Sequence, residues 1–373
     1  MLKVMTVVGT RPEIIRLSRI IPKLDQHFAH VLVHTGQNYD YELNEIFFSE
    51  LRIRKPDDFL QAAGKSPAET IGRVIIGADE ALERHRPDAL LVLGDTNSAL
   101  ACIAAKRRKV PIFHMEAGNR CYDQRVPEEI NRKIVDHTSD INLTYSEIAR
   151  EYLLREGFPA DQVIKTGSPL SEVIEHYRGE FERSDVIDRL ALTPEEYFLV
   201  SAHREENVDS NENLYKLASL LNRLASEYGL PVAVSTHPRT RKRLDALQIA
   251  THPLVSFHKP FGYLDYLKLQ TRSRVVLSDS GTITEESSIL NFPAINLREV
   301  HERPEGFEET AVMFVGMDVE RVLEAIRIVS TQARGRDRLL RRVNDYTAEN
   351  VSDKIVRIIL SYTGFVNRRV WSA

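Results

Sequence analysis

The sequence predicts an α/β protein of two consecutive Rossmann-like domains, each a parallel sheet with helices on both faces. Three observations predict it. Short β-branched runs alternate with amphipathic helical patterns from the first residues onward, which is the sign of βαβ units. The alternation pauses once, at the polar stretch TGSPLSEVIEHYRGEFERSDV, and then restarts. The chain has 373 residues, too many for one ordinary core and suited to two.

The elements follow in order. LKVMTVV reads as the first strand, and GTRPEIIR opens a helix over about residues 13–28. Thr10 and Glu13 fit a capping box there, with Pro12 in the first turn where its missing N–H costs nothing. HVLVHT, ALLVLG, PIFHM and DINLTY read as further strands, separated by helical patterns near 41–50, 66–85, 97–108, 127–139 and 146–156. After the pause, YFLVSA, PVAVST, LVSF, RVVLSD and AINL repeat the rhythm. These patterns divide the chain into a domain over 1–170, a domain over 171–355, and a helix over 356–373 that returns to the first domain. In such folds ligands bind outside the carboxyl ends of the strands, so a cleft between the two halves is the expected site.

Composition narrows the partners. A net charge of −4, with 42% hydrophobic and 28% charged residues, gives no overall electrostatic reason to bind nucleic acid or an anionic membrane. MLKVMTVVGT runs straight into a strand without the pattern of a signal peptide, so a cytoplasmic protein is expected. Cys102 and Cys121 form no CxxC, and no HxH or HExxH spacing occurs, so neither a disulfide framework nor a metal site is expected.

The chemistry-bearing residues cluster at strand ends. Asp95 follows ALLVLG and Glu116 follows PIFHM, so two carboxylates from successive strand ends can meet; Asp95 as an ordinary helix cap is the alternative. Glu128, after Pro127, supplies a third acid at a helix start. Three acids together would raise one another's proton affinities, which keeps one protonated while a neighbour acts as base. Arg120, Arg125 and Arg132 can instead turn the group into a structural ion-pair network. Arg11 stands at a helix start suited to a phosphate, or simply in a salt bridge. His203 and His237 occupy matching strand ends in the second half, which points to a diphosphate or base contact. The turn Ser280-Gly281-Thr282 after RVVLSD brings backbone N–H groups to an anion, and Glu286, one turn on, can accept from ribose hydroxyls.

Together these segments resemble the non-hydrolysing UDP-N-acetylglucosamine 2-epimerase family over essentially the full length. GTRPE, HTGQN, GDTNSALA, MEAGNR, VPEEINR, AHREEN, SDSGTITEE and ERPEG occur in order. The resemblance implies the two-domain fold of the type B glycosyltransferases, a homodimer, and neither metal nor nicotinamide. It implies elimination of UDP across carbons 1 and 2 to a glycal, then re-addition with the proton delivered to the other face of carbon 2. Asp95, Glu116 and Glu128 would be the acid/base carboxylates. Arg11, Arg132 and His203 would hold the diphosphate, with His203 also entering the catalytic set; Ser280 and Gly281 would donate to the diphosphate, and Glu286 would bind the ribose. MEAGNRCYDQRVPEEINRKIVDHTSDIN, STHPRTRKR and HERPEGFEE look most like the branch that converts UDP-2-acetamido-2,6-dideoxy-L-talose to UDP-N-acetyl-L-fucosamine for capsule or O-antigen. Where the glucosamine branch typically has Lys and Leu, this chain has Arg16 and Asn119, both expected near the sugar. Three alternatives stand beside that reading: a UDP-N-acetylglucosamine 2-epimerase making UDP-N-acetylmannosamine, a retaining glycosyltransferase of the same fold, and a non-catalytic nucleotide-sugar sensor.

Overall fold

Strands form where apolar runs are long enough to be buried on both faces, as in ALLVL, whose five residues are all buried. The computed structural model describes residues 1–37, 41–202, 210–236 and 238–372. In one compact unit (unit 1), β1 (Lys3–Val8), β2 (Ala29–His34), β3 (Asp58–Phe59), β4 (Ala89–Leu93), β5 (Ile112–Met115), β6 (Ile141–Thr144) and β7 (Val163–Lys165) make a parallel sheet of order β3-β2-β1-β4-β5-β6-β7. In the other (unit 2), β8 (Phe198–Ser201), β9 (Val232–Ser235), β10 (Val255–His258), β11 (Val275–Ser278), β12 (Ala294–Asn296) and β13 (Met313–Phe314) make a parallel sheet of order β10-β9-β8-β11-β12-β13. Each is Rossmann-like, and the strand order reverses between β1 and β4 in unit 1 and between β8 and β11 in unit 2.

Met5, Val7, Val33, Leu90, Val92 and Ile112 build the unit 1 core together with Ala78, Ala101 and Ala105 from the covering helices. Phe198, Val200, Val234, Leu277 and Ile295 do the same in unit 2 with Leu217, Leu221 and Ile326. Burying such side chains stabilises each unit by roughly 1.5–3 kcal/mol per large residue.

Several elements differ from expectation. The helix expected over 13–28 is two helices, Arg11–Leu17 and Ile20–His27, because the ring of Pro22 clashes with the carbonyl of Ser18 in a continuous helix. The three strands missing from the sequence reading, β3, β7 and β13, have two or three residues each and lie at sheet edges, too short to show a period. The polar stretch read as a pause contains the helix Leu170–Glu182, whose Leu170, Val173, Ile174, Tyr177 and Phe181 are buried at helical spacing.

Unit 1 comprises Met1–Glu175 and Asp345–Ala373, and unit 2 comprises His176–Asn344. The returning segment thus begins at Asp345, ahead of the expected 356. Its tether explains why: the Asp345 carbonyl accepts from the Ser168 amide at 3.2 Å, Lys354 donates to the Thr166 carbonyl at 2.9 Å, and Glu172 accepts the Ser352 amide at 2.9 Å. The helix Val351–Val366 then packs on Ile20–His27, with Lys23 and Asp353 paired at 2.8 Å. Among the described residues no helix is long and apolar enough to cross a membrane.

Candidate active site

The order reversal of unit 1 gathers the loops leaving β1, β2 and β4. Gly9 is required there: a Cβ would lie 2.1 Å from Ser98 Oγ and 2.2 Å from Thr35 Oγ1, which bond each other at 2.7 Å. Glu13 closes the loop. Its Oε2 accepts the amides of Gly9 at 2.7 Å and Thr10 at 2.6 Å and the Thr10 hydroxyl at 3.0 Å, while Oε1 accepts the Thr96 hydroxyl at 2.7 Å. Burial pushes the Glu13 carboxyl up to about 7, although all four bonds favour its charged form. This capping box satisfies two of the amides that a phosphate at the start of Arg11–Leu17 would have needed. The cation expected there, Arg11, has its guanidinium 5.8 Å from the centroid of Phe47.

Asp95 and Glu116 stand where the sequence places them, at the ends of β4 and β5. Each of the two has an arginine beside it, and for Asp95 that partner is Arg132, one of the three arginines the sequence offers for an ion-pair network. Asp95 Oδ2 lies 2.7 Å from Arg132 Nε, and Arg132 Nη1 reaches Glu129 at 3.0 Å. Glu116 Oε2 lies 3.6 Å from Nε of the buried Arg16, whose guanidinium sits 5.3 Å from the Tyr145 ring. Asn119 donates to Glu116 Oε1 at 3.4 Å. Glu116 Oε2 also lies 3.7 Å from where a Gly94 Cβ would be, which sets it against the backbone next to Asp95. Glu116 adopts φ +64°, an unfavourable conformation for a side-chain-bearing residue and one that recurs at functional sites. Glu128 is half-buried in the first turn of the helix Pro127–Thr138.

That helix carries more of the site than the sequence reading assigned. Glu129 is fully buried and accepts the amides of Cys121 at 3.0 Å and Tyr122 at 3.2 Å. Burial works to raise its pKa, but the Cys121 amide and Arg132 hold it below the ordinary carboxylate range. Asp136 is also fully buried. It accepts the Gly118 amide at 3.2 Å, pairs with Arg120 at 2.7 Å, and lies 2.9 Å from Nδ1 of His114, whose Nε2 meets the Gly94 carbonyl at 2.9 Å. Burial opposes the charge of Asp136, and His114 and Arg120 outweigh it, keeping its pKa low. Arg120 reaches on to Glu156 with two bonds, at 2.8 and 2.7 Å. The signal for this network was legible: Glu129, Arg132 and Asp136 are spaced i, i+3, i+7 on one face of a helix.

In unit 2 the chain leaves β11 through the buried Asp279 and the turn Ser280-Gly281-Thr282. The Ser280 hydroxyl bonds the Thr282 hydroxyl at 2.9 Å, and its amide donates to Ser278 Oγ at 3.1 Å. Gly281 is closely hemmed, since a Cβ would lie 2.7 Å from Glu302 Oε1 and 2.8 Å from Arg303 Nη1. These side chains belong to a buried set in which Arg303 pairs with Glu285 at 2.9 Å and Arg298 with Glu302 at 2.7 Å. Glu286 is buried, with Oε2 accepting from Gln270 at 2.6 Å. In the next loop His301 stacks on Phe307 at 3.9 Å. His203 and His237 lie outside the described residues. Among the described residues no group of three or more His, Cys, Asp or Glu is placed to hold a metal ion.

The chain matches a family model described as UDP-N-acetylglucosamine 2-epimerase over residues 22–360. It is similar to a structure of UDP-N-acetylglucosamine 2-epimerase from Rickettsia bellii, at 50% identity over 100% of both chains with a TM-score of 0.93. A Methanocaldococcus jannaschii UDP-GlcNAc 2-epimerase, solved in complex with UDP-GlcNAc and UDP, is 32% identical over 96% of this chain and 100% of its own, with a TM-score of 0.89. A Pseudomonas aeruginosa relative, UDP-2,3-diacetamido-2,3-dideoxy-D-glucuronate 2-epimerase, is 32% identical over 87% of this chain and 92% of its own.

Proposed function

The chain belongs to the UDP-N-acetylglucosamine 2-epimerase family and is an isomerase of sugar nucleotides, and we propose that it inverts carbon 2 of UDP-2-acetamido-2,6-dideoxy-L-talose to give UDP-N-acetyl-L-fucosamine. The observation that carries the chemistry is the pair Asp95 and Glu116 on adjacent strand ends, each beside its own arginine. A base removes the carbon 2 proton, the electron pair of that bond becomes the carbon 1–carbon 2 double bond, and the carbon 1–oxygen bond breaks to release UDP. In the return step a UDP oxygen re-forms the bond to carbon 1 while an acid delivers a proton to the opposite face of carbon 2. One carboxylate does not suffice for two faces, and departure of UDP needs donors that stabilise its charge.

The proposed roles divide accordingly. Asp95, Glu116 and Glu128 transfer protons. Arg11, Arg132, His203 and His237 serve the diphosphate or base, with Arg132 also holding Asp95. Ser280, Gly281 and Thr282 donate to the diphosphate, and Glu286 takes the ribose hydroxyls. Arg16 and Asn119, both beside Glu116, support the choice of sugar, because they set the hydrogen-bonding groups next to a proton-transfer carboxylate. The same reading makes the protein a cytoplasmic homodimer supplying an activated amino sugar to capsule or O-antigen. A second reading, UDP-N-acetylglucosamine to UDP-N-acetylmannosamine, is favoured by the names of the similar solved structures.

Incubation in heavy water with each UDP-sugar separately, followed by NMR at carbon 2, tests both. Deuterium enters carbon 2 with UDP attached, faster for the L-talo sugar. Faster exchange with UDP-N-acetylglucosamine would transfer the assignment to the second reading, and no exchange with either, alongside glycosylation of an acceptor, would end both.

A further inference from the structure

We propose that Glu13 is a positioning residue for Asp95, acting through the Thr96 hydroxyl. The inference rests on the reading of Asp95 as an acid/base group. Glu13 itself is 1% exposed and has no surface to offer a substrate, so its contribution has to pass through a neighbour.

Two halves of its carboxylate do different things. Oε2 takes the three donors of the helix cap, all from Gly9 and Thr10. Oε1 takes the Thr96 hydroxyl at 2.7 Å, a bond across 83 residues of chain that contributes nothing to the cap. It ties the loop leaving β1 to the loop leaving β4, at the reversal of strand order. Thr96 also accepts the Ser98 amide at 3.2 Å, so its hydroxyl proton is directed at Glu13. On the other side, the Asn131 side chain holds the Asp95 carbonyl at 2.9 Å. Asp95 is therefore fixed through its own carbonyl and through the next residue, and its carboxylate meets Arg132 from a backbone that cannot drift. Proton transfer needs such fixing, since misplacement by about 1 Å can cost about a hundredfold in rate.

Thr96→Val removes the hydroxyl and keeps the branched shape; Thr96→Ser restores the hydroxyl. Thr96→Val also removes the acceptor for Ser98, whereas Glu13→Gln, whose single oxygen is claimed by the three cap donors, turns an NH2 toward Thr96 and so takes away the acceptor for its hydroxyl while Thr96 Oγ1 itself stays in place. Carbon 2 exchange would be measured for each variant, with Asp95→Asn as reference. The expected result is a kcat lowered about ten- to a hundredfold in Thr96→Val and in Glu13→Gln, with KM and UDP affinity within about twofold of the unmodified enzyme. Thr96→Ser recovers most of the rate. The double variant Glu13→Gln/Thr96→Val is at most about threefold slower than either single one, because both disrupt one shared contact. Near-normal turnover in Thr96→Val while Asp95→Asn is inactive overturns the inference, as does an equal loss in Thr96→Ser. Full exchange in Asp95→Asn overturns the parent reading of Asp95 and the inference with it. If one variant folds poorly, the other still tests the bond.

Discussion

The strand-order reversals of unit 1 and unit 2 share a topology and differ in what they expose. Around β1, β4 and β5, carboxylates at the strand ends meet arginines from nearby helices: Asp95 with Arg132, Glu116 with Arg16. Around β11 the turn carries hydroxyls, and the charges beside it are held in the buried pairs Glu285–Arg303 and Arg298–Glu302. Proton transfer needs titratable groups held in place by partners, whereas an anion such as a diphosphate needs donors without a carboxylate competing for them. The difference therefore argues for a division of labour, with the acid/base carboxylates in unit 1 and the neutral donors for the diphosphate in unit 2, in addition to the unit 1 cations Arg11 and Arg132.

The sharpest way to break that comparison is to remove the support under the unit 1 loops. Asp136→Asn leaves Arg120 buried with one carboxylate fewer and weakens the hold on Gly118, so it should destabilise the protein by about 3–5 kcal/mol. Urea denaturation measures this, and under native conditions the folded variant should keep its UDP affinity while losing carbon 2 exchange. A variant that keeps its stability and exchange but loses UDP would erase the division.

A smaller effect comes from Glu13. Burial raises its pKa from 4.5 to about 7, so between those values the folded chain keeps a proton that the unfolded chain has released. Stability therefore falls as pH rises through this window, by about 3 kcal/mol from this group. Glu13→Gln has no such titration, and the stability difference between variant and parent should shift in the variant's favour by about that amount between pH 4.5 and pH 8. Parallel pH profiles would show that the carboxyl is not held as the structure has it.

These cases also show how far residue patterns reach. Both sheets were readable because buried parallel strands are continuous apolar runs, and Asp95, Glu116 and the Ser280–Thr282 turn were readable because strand ends follow from them. Edge strands of two or three residues carry no period, so β3, β7 and β13 were missed. The helix Leu170–Glu182 was hidden by charge on its exposed face although its buried face was regular. At the strand ends of unit 1, residue type marked the acids and offered Arg132 as a partner, but not which acid it meets or that Arg16 lies beside Glu116. That Asp95 and Glu116 each find an arginine depends on Arg132 and Arg16 arriving from different helices, a matter of packing between distant segments. Glu13 looked like a cap because its other bond, to Thr96, is invisible along the chain.

The smallest predicted effect tests the unit 2 side. Gly281 has φ −65°, so an alanine there suffers no backbone strain, and only space decides the outcome. The added methyl would meet the ends of Glu302 and Arg303 at 2.7 and 2.8 Å. Were those ends free, they would swing away at little cost. Both are held, Glu302 by Arg298 and Arg303 by Glu285, and all four side chains are nearly buried, so the turn has to move instead. Gly281→Ala should weaken UDP binding about tenfold, or about 1.4 kcal/mol, measured by titration calorimetry. At saturating substrate its carbon 2 exchange should match the parent, because no proton-transfer group has shifted. A variant that binds UDP normally would mean that the turn does not contact the diphosphate, and a loss of kcat at unchanged affinity would mean that the turn takes part in the chemistry it is argued only to anchor.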